Sequence, residues 1–116
     1  MKVTDKKAAK NLLARKPGTV SKNTRIVYRE SDRTYALELF GNEIAWLDED
    51  TGYVSVRTTH ASYTTHMRLN ALAFELGVWK DFQAYTKNHK HFVDYRGETF
   101  ADCEDEVFVL RGCTIG

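Results

Sequence analysis

Apolar and polar positions change period several times along the chain, and each change marks an element. In "TDKKAAKNLLARK", Ala8, Ala9, Leu12 and Leu13 recur at helical spacing with Lys7 and Lys10 opposite them. Thr4 or Asp5 offers a cap and Pro17-Gly18 a stop, so a first helix is expected to end near Lys16, within residues 1–18. After the polar stretch "PGTVSKN" the period becomes two. "TRIVYRE" and "TYALELF" flank Ser31-Asp32-Arg33 as one hairpin, and "NEIAWL" and "YVSVRTT" flank "DEDTG" as another. Ile44, Trp46, Val54 and Val56 are the expected inward residues of the second hairpin, with Gly52 free to take positive φ.

The helical period then returns. Thr64 is the expected N-cap of a helix over residues 65–76, closed by Gly77. Leu69, Leu72, Ala73 and Leu76 form one apolar face, and Met67, Ala71 and Phe74 form a second, roughly opposite face. Arg68 and Glu75 separate the faces on one side, His66 and Asn70 on the other. Such a helix is either sandwiched inside the fold or presents a partner surface. On the second reading Met67, Ala71 and Phe74 are the interface, toward another copy of the chain or toward a host protein.

Strand character resumes in "DFQAYTK", "HFVDYR" and "EVFVLR", with turns at residues 88–90 and at Gly97. The order is helix, four strands, helix, then two or three strands, with no regular strand-helix alternation. It predicts an α+β fold, a mainly antiparallel sheet of hairpins with an N-terminal helix and a central helix. One domain over residues 1–116, with its α+β core at 23–111, is the expected organisation.

Composition supports a chain that folds on its own. Hydrophobic residues make up 42% of the 116 and charged residues 28%, which places it among globular sequences and away from disordered tails. No run has signal-peptide or membrane-spanning character, so a cytoplasmic protein with no membrane partner is expected. Cys103 and Cys113 lack Cys-x-x-Cys spacing and read as reduced thiols. The formal net charge is only +1, yet residues 1–33 carry ten Lys/Arg against three Asp/Glu, and residues 34–116 carry seven against thirteen. Either the two parts pair with each other, or the basic part faces phosphate or an acidic surface.

"THASYTTHMRLN", residues 59–70, concentrates the groups that can do chemistry: two histidines, an arginine, an asparagine and five hydroxyls. At a helix start, free backbone N–H groups, Thr64, Thr65 and Arg68 can all face one anion, with Lys7 and Lys10 adding basic surface. Capping alone would choose the same threonines. The four histidines, His60, His66, His89 and His91, match no metal-ligand spacing, so neither a metal nor any other cofactor is expected. Cys103 lies beside Asp102 and Glu104, which disfavour a thiolate, and no serine sits in a nucleophile elbow. Catalytic residues are therefore not assigned. A metal-independent nuclease using His89 or His91 ranks last.

The segment "SYTTHMRLN" resembles a group of small proteins encoded by tailed bacteriophages that carry a T-x-T-T-x-x-R-x-N-like pattern. The matching positions are Asn23-Thr24, Leu39-Phe40, Ser62, Thr64, Thr65, Arg68 and Asn70, with similarity continuing through "FVDYRGETFADCE". His60 stands where the group commonly has Trp, and Phe40 where it commonly has His. The resemblance implies a phage accessory protein acting in the infected cell. The expected function is nonenzymatic: an early or anti-defence factor that binds or inhibits a host protein. The alternative is a phosphate-recognising module for nucleic acid or a signalling nucleotide.

Overall fold

The computed structural model describes residues 2–112. In chain order the elements are α1 (Val3–Leu13), β1 (Gly18–Ser21), β2 (Thr24–Arg29), β3 (Thr34–Leu39), β4 (Asn42–Asp48) and β5 (Val54–Val56). They continue with α2 (Tyr63–Glu75), β6 (Phe82–Lys87), β7 (Lys90–Tyr95), β8 (Glu98–Ala101) and β9 (Phe108–Arg111). Six strands form one antiparallel sheet in the order β1-β2-β3-β4-β5-β9, and β6-β7-β8 form a second. The α+β class and the antiparallel hairpins expected from the sequence are present. Among the described residues no helix is long and apolar enough to cross a membrane.

Alternation of side chains places Ile26, Leu37, Ala45, Leu47, Val54 and Val56 on the buried face of the larger sheet. The helices cover that face. Helix α1 packs along α2, and the opposite flank of α2 packs on β6. Phe108 on β9 joins the two sheets through ring contacts with Phe82, Tyr95 and Phe100. The core is therefore continuous across both sheets.

Three sequence expectations shift. Period two puts Ile44 and Trp46 on one face, but the register skips Ile44, pairing Leu37 with Ala45 and Glu38 with Glu43. This bulge buries Ile44 and Ala45 together and turns Trp46 outward, where its indole N–H donates to Glu43 and Arg57 lies over its ring. Helix α2 starts earlier than Thr64: Ser62 is its N-cap and accepts a hydrogen bond from the Thr65 amide. Asp5 does not cap α1 from outside but lies within its first turn. Strands β1 and β8 are four-residue edge strands too short and polar to carry a readable alternation. The Cys113 assignment lies outside the described residues.

Candidate functional site

The helix start singled out by its composition divides into two environments, because residues 66 and 68 project about 200° apart on a helix of 3.6 residues per turn. Arg68 is 5% exposed and points toward α1. Its guanidinium donates to the Asp5 carboxylate, and Nε and Nη2 reach the Thr24 hydroxyl at 3.3 and 3.2 Å. The other Asp5 oxygen accepts from the Lys2 amide at 3.2 Å. Asp5, only 1% exposed, occupies the position in which an external anion would meet Arg68. Thr65 is also buried, its hydroxyl 3.1 Å from that of Ser62.

The remaining sequence-selected residues scatter. Lys7 and Lys10 are exposed on α1, and no ion pair engages either among the described residues. Ala71 is fully buried, Met67 partly so, and Phe74 is 52% exposed. Much of the N-terminal positive charge is neutralised internally: Arg25 pairs with Glu38, Arg29 with Glu43 and Asp32, and Arg33 with Asp50 and Glu49. Lysines thus carry the uncompensated part.

Those lysines border a surface groove. One cleft is lined by Lys2, Lys22, Tyr63, Thr64, Met67 and the buried Arg68; a second, lined by Thr19, Arg25, Glu38, Phe40 and Gly41, shares the β1–β2 turn Ser21-Lys22-Asn23 with it. Two aromatic side chains stand at the ends, Tyr63 65% exposed and Phe40 71% exposed. Phe40 and Gly41 form the two-residue loop between β3 and β4, both at positive φ, 52° and 78°. That turn favours Asn-Gly and strains a bulky residue at its first position. Among the described residues Phe40 is the one large apolar side chain held at positive φ.

Sequence reasoning missed a second feature. A cavity of about 170 Å³ opens between α2, β7 and the β8–β9 loop, lined by Thr58, His66, His91, Asp102, Cys103 and Glu104 among others. His66 is 2% exposed, and its Nε2 has no hydrogen-bond partner. Burial, and secondarily the neighbouring His91, pushes its pKa down to about 4 against an opposing pull from Glu104, so the imidazole is neutral at pH 7. His91 meets it edge to face with ring centroids 5.0 Å apart. Burial raises the Cys103 thiol above its ordinary range, aided by Glu106 and Glu104. Residues 66, 91 and 103 follow no linear motif, and only the fold brings them to one cavity.

The fold and surface define a class before any relative is considered: a small antiparallel α+β protein whose conspicuous helix-start cation is consumed by its own core. The family model for the Kyanoviridae Gp96 protein matches residues 1–111, and the chain belongs to that family, a phage protein family. The match supports the phage origin and accessory character inferred from "SYTTHMRLN", without singling out that segment. No curated protein matches the chain. No solved structure matches it either.

Proposed function

We propose that the protein is a nonenzymatic phage accessory factor that works in the cytoplasm of the infected cell by binding, and thereby inhibiting, a host protein. An early or anti-defence role fits that mode of action. The binding surface is the groove between Tyr63 and Phe40, to which Thr64 and Met67 contribute. Phe40 carries the reading: a residue that both strains its turn and exposes an apolar ring is costly to the fold, and aromatic anchors of this kind dominate protein interfaces. Lys2 and Lys22 along the same groove favour an acidic segment on the partner.

The test exploits an opposition between stability and binding. Phe40→Asn places the preferred residue in the turn, so its melting temperature should equal or exceed the parent's, with a gain of about 1 kcal/mol or less. Capture of the parent chain's partner from nuclease-treated infected lysate should fall at least tenfold. Undiminished capture by the stabilised variant sinks the groove. A partner lost on nuclease treatment points instead to nucleic acid, the alternative reading, for which the exposed lysines of α1 would provide backbone contacts.

A further inference from the structure

We propose that the cavity between α2, β7 and the β8–β9 loop binds one late first-row transition-metal ion of the zinc class, with His66 and His91 as nitrogen ligands and Cys103 as a sulfur ligand. The starting observation is the buried, unpartnered Nε2 of His66, which lines this cavity. Buried polar groups are rarely left without a partner, and a neutral imidazole is the ligating form.

The spacing of the two rings fits an ion. An imidazole nitrogen about 2.0–2.1 Å from zinc sets the ring centroid roughly 3.2 Å from the metal, and two such rings at a tetrahedral angle have centroids about 5 Å apart. The His66 and His91 centroids are 5.0 Å apart. Their edge-to-face orientation means that rotation of a ring, not translation of its backbone, is what ligation requires. Among the described residues no three histidine, cysteine or carboxylate donors are already gathered around one point, so the ion has to draw its third ligand in.

His91 is half-buried, and its Nδ1 lies 3.3 Å from the Thr86 hydroxyl, a contact that orients the ring and leaves Nε2 for the metal. Cys103 supplies the soft donor that favours zinc or cobalt over magnesium or calcium. On binding, its S–H bond gives up a proton to solvent as the sulfur–metal bond forms. Asp102 and Glu104 add negative charge at the cavity wall that partly offsets the incoming cation. The three ligands come from α2, β7 and the loop after β8, so the ion would clamp the second sheet and its loop to the central helix.

Cobalt(II) titrated into untagged, reduced full-length chain is the probe, followed by displacement with zinc. One equivalent should produce visible bands of tetrahedral cobalt and a near-ultraviolet thiolate-to-cobalt band, both abolished by zinc. Cys103→Ser should remove the near-ultraviolet band. His66→Gln should weaken cobalt binding at least tenfold, and His91→Gln, at a half-buried site, does the same where the His66 variant folds poorly. A parent chain with no cobalt spectrum overturns the proposal, as does a spectrum that survives both Cys103→Ser and His91→Gln unchanged.

Discussion

Arg68 and His66 lie two residues apart at the same helix start, are buried to nearly the same degree, and have opposite polar environments. Arg68 reaches Asp5 from α1 and Thr24 from β2, so one side chain ties both helices and the larger sheet together. His66 faces the second sheet with Nε2 unpartnered. The more highly charged group is thus the structural one, and the neutral imidazole is the one left available. Functional-group density along a helix start does not identify a site. What matters is which groups the fold has already satisfied.

The sharpest way to break this comparison is to remove the partner that makes Arg68 structural. Asp5→Ala leaves a buried guanidinium with the Thr24 hydroxyl alone, and losing one member of a buried ion pair costs about 3–5 kcal/mol. Urea unfolding should show that loss, and the double variant Asp5→Ala with Arg68→Met should recover a large part of it. If Asp5→Ala is nearly silent, Arg68 is not the core element described here, and its role as an anion ligand returns.

Acid should act on the other member of the pair. Above the ordinary histidine value, about 6.5, folded and unfolded chains both hold His66 neutral, and its titration contributes no pH dependence. Between about 6.5 and about 4 the unfolded chain accepts a proton that the folded one refuses, so stability falls as pH falls. The full loss is on the order of 3 kcal/mol, reached once pH drops below about 4. Denaturation across this window, without added metal, should show that slope. His66→Leu should flatten it while leaving stability at pH 7 unchanged or raised, since it removes an unsatisfied polar atom. An unaltered slope in His66→Leu would assign the acid sensitivity to other groups.

The contrast between the two residues also marks how far the sequence could be read. Hairpins were legible because strand alternation and turn residues are local: the β2–β3, β4–β5 and β6–β7 pairings all follow the anticipated order. Gly77, closing α2 at φ 75°, was legible for the same reason. The inward turn of Arg68 was not, because it depends on a carboxylate 63 positions away. The cavity depends on separations of 25 and 12 residues between His66, His91 and Cys103, which have no sequence signature. Trp46 was misplaced by a bulge that one extra residue creates. Phe40 stood in plain view beside Gly41, but its exposure and strain appear only once the turn is built.

Asn70 refines the comparison, because it lies one turn beyond His66 and faces the same sheet with its polar groups fully used. Its side-chain N–H donates to the Ala84 carbonyl and its oxygen accepts from the Ala84 amide, both at 2.8 Å. The amide thus pairs with edge strand β6 much as a neighbouring strand would, closing an otherwise open edge beside the helix. With this anchor in place, the second sheet stays docked whether or not His66 has a ligand. Asn70→Ala should cost about 1–3 kcal/mol, the range for stranding a partly buried amide and carbonyl. It should also speed hydrogen exchange at the Ala84 amide while leaving the Arg68 flank protected. Equal loosening of α1 in that variant would mean that the two sides of α2 are one cooperative unit, and that the division between a satisfied flank and an available one does not extend to dynamics.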